Sequence, residues 1–200
     1  DMFPALSPDG TRVAFTAIGP TRDTVLWIRP LESSRWVPIG GTENARQPFW
    51  SPDGRFIGFF AQRKLKTVSA DLATVASVQV LADAPDPRGG TWSAAGTIVF
   101  ARNIEDGLYS VAASGGGSVT PVTTLNRSRE TSHRWPQFLP DGQHLQYFAR
   151  SADPTYQGIY VGRPGSDTWK LLLRTPVNAL VTGVPPPGLS GGLFRAKHGY

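Results

Sequence analysis

The amino-acid sequence predicts an all-β protein, a β-propeller of four-stranded antiparallel blades with about four and a half blades present. The main observation is a repeat in which an apolar strand, a turn of the Ser-Pro-Asp-Gly type and a second apolar strand recur. The glycines that end the four clear turns are Gly10, Gly54, Gly96 and Gly142, so the steps are 44, 42 and 46 residues. A period of about 40 to 50 residues that holds only strands is typical of propeller blades.

Composition agrees with a chain of many turns. The 22 glycines and 18 prolines make up a fifth of the 200 residues, which disfavours long helices. The hydrophobic content of 40% is ordinary for a folded globular protein, so disorder is not expected.

Residues 49–60 contain the clearest copy of the repeat. Proline at the second turn position presets φ, Asp53 can accept hydrogen bonds from nearby backbone, and Gly54 can adopt the positive φ that closes the turn. This turn role makes the repeated aspartates structural rather than catalytic. The other copies are Ser7-Pro8-Asp9-Gly10, Ser93-Ala94-Ala95-Gly96, Leu139-Pro140-Asp141-Gly142 and the degraded Pro185-Pro186-Pro187-Gly188. The copy with Ala94-Ala95 in place of Pro-Asp is expected to be held less well.

Each period is expected to hold four strands, and the chain is expected to be a portion of a larger ring. Residues 70–76 are helical by propensity, but the neighbouring periods place a turn there, so a turn is predicted. The expected blades are residues 3–40, 47–82, 89–125 and 134–174, with the start of a further blade at 178–200. The expected strands are, in order, residues 3–6, 12–17, 24–29 and 35–39; 47–50, 55–61, 65–69 and 77–81; 89–92, 97–101, 107–111 and 119–125; 134–138, 144–150, 158–161 and 168–173.

The large aromatic side chains of these strands are expected to pack between blades. A small sheet exposes apolar faces until its neighbours cover them, so its aromatic residues are better explained as packing than as ligand-stacking groups. The residues concerned are Phe15, Trp27, Phe59, Phe100, Tyr109, Phe148 and Tyr160.

The charge pattern argues against a nucleic-acid partner. The net charge of +5 comes from 20 Lys and Arg against 15 Asp and Glu, and the cations are scattered except for residues 63–66. With no cysteine, disulfides and thiolate chemistry are excluded, which fits an oxidising compartment. No apolar run reaches 18 residues, so no membrane contact is predicted within this sequence.

No catalytic residue, cofactor or metal site is predicted. Residues 188–192 match the Gly-x-Ser-x-Gly pattern of a nucleophile elbow, but three prolines precede them and a short strand follows, so a glycine-rich hairpin is favoured. His133, His144 and His198 lack the spacing of a zinc site. Asp83 and Asp86 could contact a calcium ion, but no third ligand stands at the right spacing.

The candidate binding residues lie at the rim of the central channel. In a propeller the first strand of every blade lines this channel, so the residues that lead into those strands converge at one opening. We expect an anion-binding mouth for a protein or peptide partner or a small anionic ligand. The alternative is that these side chains hydrogen-bond carbonyls of the next blade or face water. The residues are Arg46, Gln47, Arg88, His133 and Arg134.

The repeat resembles the TolB-like, WD-repeat-like β-propeller family. In that family an inner strand ends in an aromatic residue and Ser-Pro-Asp-Gly, and a basic-apolar-aromatic second strand follows; the resemblance covers most of residues 3–174. More narrowly, residues 89–100, 133–142 and 186–188 resemble propellers carried C-terminally by bacterial Ser/Thr protein kinases. This resemblance implies a sensing or interaction module on the extracytoplasmic side of a membrane-anchored parent.

Two other functions stay open at this point. A similar propeller gates the active site of prolyl-oligopeptidase-type serine peptidases, and another belongs to periplasmic TolB-type partner proteins. The sequence contains no kinase Gly-rich loop, His-Arg-Asp or Asp-Phe-Gly motif. The resemblance to kinase-associated propellers therefore implies a binding domain, and no kinase activity for these residues.

Overall fold

The fold is all-β in the part of the chain that the computed structural model describes, which is residues 4–73, 77–181 and 193–195. It contains four antiparallel sheets of four strands each and one two-stranded sheet. The predicted fold class, a propeller of four-stranded antiparallel blades, is confirmed. The residues 188–192, the turn at 185–188 and His198 lie outside the described residues.

The strands follow the chain in meander order within each sheet. Blade 1 comprises β1 (Ala5–Leu6), β2 (Arg12–Ile18), β3 (Thr24–Pro30) and β4 (Val37–Pro38). Blade 2 comprises β5 (Arg46–Trp50), β6 (Phe56–Ala61), β7 (Lys64–Ser69) and β8 (Val78–Asp83). Blade 3 comprises β9 (Gly90–Trp92), β10 (Thr97–Phe100), β11 (Tyr109–Ala112) and β12 (Thr120–Pro121). Blade 4 comprises β13 (Ser132–Phe138), β14 (Leu145–Arg150), β15 (Gly158–Gly162) and β16 (Lys170–Arg174), and a further hairpin comprises β17 (Ala179–Val181) and β18 (Leu193–Arg195).

The first strands of the four blades lie side by side. Strand β5 contacts β1 on one side and β9 on the other, and β9 in turn contacts β13. This places the first strand of each blade at the centre of the array. The ends of these strands therefore form two rims around one axis.

The apolar interior is divided into separate clusters, three of which lie between consecutive blades. Cluster one joins blades 1 and 2 through Ile28, Trp50 and Phe59 among others. Cluster two joins blades 2 and 3 around Phe60 and Phe100, and cluster three joins blades 3 and 4 around Tyr147. Because side chains alternate along a strand, Phe59 and Phe60 serve different clusters.

The expected packing aromatics fall into two groups. Phe59, Phe100, Tyr109 and Tyr160 belong to clusters one to three. Phe148 packs with Ile159 and Trp135 on the other face of blade 4. In contrast, Phe15 and Trp27 lie outside these clusters, because Ala14 and Ile28 on the opposite face of the same strands are the residues that enter cluster one. Phe15 instead contacts the edge of Trp36, with ring centroids 5.3 Å apart.

The repeated turn satisfies its own polar groups. In blade 2 the Ser51 hydroxyl donates to Asp53 Oδ1 at 2.6 Å and accepts from the Phe56 N–H at 2.9 Å. The same Asp53 oxygen accepts from the Arg55 N–H, and Gly54 adopts a φ of 67°. Hydrogen bonds from the Ser51 hydroxyl and the Arg55 N–H hold the pKa of Asp53 below its usual value.

The third turn lacks this network. The Ser93 hydroxyl accepts a longer bond from the Thr97 N–H, at 3.2 Å, and Ala95 stands where blade 2 has Asp53. The turn still closes, with Gly96 at a φ of 77° and its N–H bonded to the Ser93 carbonyl at 3.0 Å.

Candidate functional site

The candidate site is built on three arginines at equivalent positions of consecutive blades. Arg46, Arg88 and Arg134 each stand five residues before the first residue of their own turn. They lie where β5, β9 and β13 begin, and these strands are neighbours at the centre of the array. We call this end of the array the arginine rim, and the end that carries the Ser-Pro-Asp-Gly turns the turn rim.

The residue after each arginine has an unusual backbone conformation. Gln47, Gly89 and Trp135 have φ values of 52°, 90° and 53°, and the pairing register shifts between Arg46 and Phe49 and between Arg134 and Gln137. A non-glycine residue at positive φ carries a cost that the surrounding structure has to offset. In blades 3 and 4 the bend turns the N–H groups of Gly89 and Trp135 towards the preceding blade.

The bent residues connect neighbouring blades by hydrogen bonds. The Gln47 side chain accepts from the Gly89 N–H at 2.9 Å through Oε1 and donates to the Pro87 carbonyl at 3.4 Å. One blade further on, the Trp135 N–H donates to the Arg88 carbonyl at 2.7 Å. Gln47 therefore has a structural contact between blades 2 and 3, as in the alternative explanation of the rim residues.

His133 lies beneath the arginine rim and only 1% of it is exposed. Its Nδ1 is 2.7 Å from the Thr123 hydroxyl, its Nε2 is 3.2 Å from Glu130 Oε2, and its ring lies 4.4 Å from that of Tyr147. His133 and Arg134 are consecutive residues of β13, so their side chains lie on opposite faces of the strand, and that of His133 faces the interior.

A hydroxyl, an imidazole and a carboxylate are hydrogen-bonded in a row, as in the active sites of some hydrolases. They belong to Thr123, His133 and Glu130. Thr123 is buried, and its hydroxyl already accepts from the Leu108 N–H at 2.8 Å. A nucleophile has to reach a substrate, and this hydroxyl cannot. These hydrogen bonds therefore hold the segment between blades 3 and 4 in place.

A further arginine, Arg150, acts on this site and was not predicted from the sequence. The charges of Arg150 and Arg88 both act on Arg134, and together with burial, which is the largest cause, they lower the pKa of Arg134 to about 10. Asp86 opposes this shift. In the described part of the chain Arg134 donates to neutral acceptors, from Nε to the Ser132 hydroxyl at 2.7 Å and from Nη2 to the Ile104 carbonyl at 3.5 Å.

Asp86 is the carboxylate of this group. It binds Arg88 through two contacts, Nη1 to Oδ1 at 2.5 Å and Nη2 to Oδ2 at 3.4 Å. Arg46 is half-buried, and in the described part of the chain it forms no ion pair. The charge of Asp86 therefore acts on Arg134 against those of Arg88 and Arg150, and an excess of positive charge favours an anion.

Another groove lies away from this rim. It has a volume of about 920 Å³ and runs along the turn rim between blades 2 and 3, where Phe56 stacks on Trp92 with ring centroids 6.2 Å apart. Its carboxylate, Asp53, is already bonded to Ser51 and Arg55. Among the described residues no group of three His, Cys, Asp or Glu side chains is placed to hold a metal ion.

The sequence matches no family model, and no curated protein matches it either. Solved structures do match. TolB from Acinetobacter baumannii is 16% identical with a TM-score of 0.67, over 88% of this chain and 44% of that one. A putative TolB from Agrobacterium tumefaciens is 16% identical with a TM-score of 0.69, over 84% of this chain and 63% of that one.

The chain has a TolB-like β-propeller fold. A third match is the β-propeller domain of the Trilobed protease from Pyrococcus furiosus, 18% identical with a TM-score of 0.54, over 90% of this chain and 59% of that one. At these identities the likeness concerns the fold alone, and this chain spans less than two thirds of the length of all three. In the described part of this TolB-like propeller, no helix has the length and apolar character of a membrane span.

Proposed function

We propose that this propeller is a non-enzymatic binding or sensing scaffold, and that its arginine rim binds an acidic segment of a protein partner or a small anion. The observation that carries this proposal is the positive charge at the rim. Arg134 is half-buried, bonds the hydroxyl of Ser132, which pairs with Arg150, and precedes Trp135, whose N–H donates to the carbonyl of Arg88, the partner of Asp86. Holding like charges together costs free energy, and a bound anion would offset that cost.

The proposal extends to the parent protein. The likeness of residues 89–100 and 133–142 to kinase-associated propellers supports a sensing domain of a bacterial signalling protein, on the extracytoplasmic side of its membrane. The absence of cysteine from the sequence is consistent with that location.

A propeller that gates a serine peptidase is the second candidate. The similarity to the propeller domain of the Trilobed protease favours it. The full-length gene separates the two candidates, because a peptidase carries a Gly-x-Ser-x-Gly hydrolase domain and the signalling protein carries a kinase core and a membrane segment.

The rim proposal is tested by titrating the chain with a fluorescein-labelled tetraglutamate peptide at fixed ionic strength. The double variant Arg88→Ala, Arg134→Ala should bind at least about tenfold more weakly, because each charge-assisted hydrogen bond contributes about 1.5–3 kcal/mol. The double variant Arg35→Ala, Arg55→Ala is the control. It loses the same net charge from exposed positions away from the rim and should bind the peptide as tightly as the unsubstituted chain. Equal affinity of the rim variant and the parent chain would overturn the proposal.

A further inference from the structure

The guanidinium of Arg88 already holds a carboxylate. The contacts Nη1–Oδ1 and Nη2–Oδ2 with Asp86, at 2.5 and 3.4 Å, form the parallel pair by which arginine recognises a carboxylate group. Asp86 is only two residues away in the chain, between Pro85 and Pro87. The same Nη1 also donates to the Pro87 carbonyl at 2.8 Å, so the loop fixes the position of the guanidinium.

This ion pair is accessible to solvent. The side chain of Arg88 is 28% exposed and that of Asp86 is 42% exposed. Exposed ion pairs contribute little to stability, equivalent to less than about fivefold in an equilibrium constant. A carboxylate from another molecule can therefore displace Asp86 at small cost.

The surrounding charges favour a ligand with more than one carboxylate. Arg134 Nε donates to the hydroxyl of Ser132, the residue with which Arg150 pairs on the neighbouring strand, and in the described part of the chain the acceptors of Arg134 are neutral. Arg150 is exposed at the end of β14 and pairs through its backbone with Ser132. A second carboxylate at Arg134 and Arg150 would neutralise charge that Asp86 alone does not.

We propose that Asp86 is an internal occupant of the binding site, and that the ligand is an acidic peptide segment whose first carboxylate displaces Asp86 from Arg88 and whose second binds Arg134 and Arg150. This inference rests on the proposed function and narrows its ligand to carboxylates. Asp86 then competes with the ligand for Arg88, and this competition weakens the binding of singly charged anions.

The substitution Asp86→Asn tests it, with the labelled tetraglutamate peptide as the probe. The variant should bind the peptide about threefold to fivefold more tightly than the unsubstituted chain, because the competing charge is removed. The control Asp83→Asn removes an exposed carboxylate that is paired with Lys64 in the preceding strand, and its affinity should change less than about twofold. Thermal unfolding of both variants checks that the fold is retained.

The outcomes separate the two proposals. Unchanged affinity of Asp86→Asn, combined with weaker binding by Arg88→Ala, Arg134→Ala, would overturn the role of Asp86 and leave the rim as the site. Displacement of the peptide by inorganic phosphate as readily as by unlabelled tetraglutamate would overturn the carboxylate preference. Equal binding by the parent chain and the rim double variant would overturn both.

Discussion

The turn rim and the arginine rim lie at opposite ends of the same strands, and their polar side chains are used differently. At the turn rim the Ser51 hydroxyl and the Asp53 carboxylate have partners within a few residues. At the arginine rim Asp86 pairs with Arg88, whereas the acceptors of Arg134 in the described part of the chain are neutral. The polar groups of the turn rim stabilise the fold, whereas the arginine rim retains positive charge that can bind a ligand.

The largest expected effect is at the turn rim. Trp50 is 8% exposed, donates from Nε1 to the Ala5 carbonyl at 2.8 Å, and carries the Arg12 guanidinium 4.9 Å above its ring. Trp50→Ala should lower the free energy of unfolding by about 3–5 kcal/mol, through a cavity in cluster one and the loss of these contacts. Denaturant titration measures the change. Trp36→Ala, at a residue 50% exposed, is the control and should cost about 1 kcal/mol or less.

A smaller effect distinguishes two copies of the turn. Ser51→Ala removes a buried hydroxyl that bonds both Asp53 and the Phe56 N–H, and should cost about 1–3 kcal/mol. Ser93→Ala should cost less, because the third turn has a single long bond at 3.2 Å and no aspartate. Equal losses from the two substitutions, measured by denaturant titration, would contradict the local network described for blade 2.

The reciprocal substitution is Ala95→Asp, which places the missing carboxylate in the third turn. It should raise the free energy of unfolding by about 0.5–1 kcal/mol, because the new side chain can accept from the Ser93 hydroxyl and from nearby backbone. A loss of stability would show that the third turn cannot accommodate the network.

The smallest effect is expected at the arginine rim. Arg134→Gln loses the bonds to Ser132 and Ile104, but relieves burial of a charge beside Arg150 and Arg88. The free energy of unfolding without ligand should change by no more than about 0.5 kcal/mol. A loss above about 2 kcal/mol in the same denaturant titration would show that Arg134 is a structural residue and would remove the contrast between the rims.

The fold could be predicted from the sequence because its signals are local. A turn such as residues 51–54 is specified by four consecutive residues, and its repetition shows that each blade is the same unit. The positions of the three arginines also follow from the repeat, since each stands at a fixed distance before its turn.

The composition of the site could be predicted only in part, because it depends on register. Arg150 reaches the rim through its pairing with Ser132, in a strand pair whose register shifts between Arg134 and Gln137. A shift of one residue moves a side chain to the other face of a sheet, so the sequence does not place Arg150 or His133. The sequence indicates Asp86 as a candidate calcium ligand, whereas its partner in the structure is Arg88.

The division of the apolar interior has a consequence for how the chain opens. Clusters one to three each join two consecutive blades, so blade 1 shares cluster one while blades 2 and 3 each share two clusters. In arrays of this kind stability is close to a sum of unit and nearest-neighbour terms, and local opening occurs in cooperative segments. The amide protons of β6 and β10 should therefore exchange with solvent more slowly than those of β2. Two of the three strands at the arginine rim, β5 and β9, belong to the blades that share two clusters.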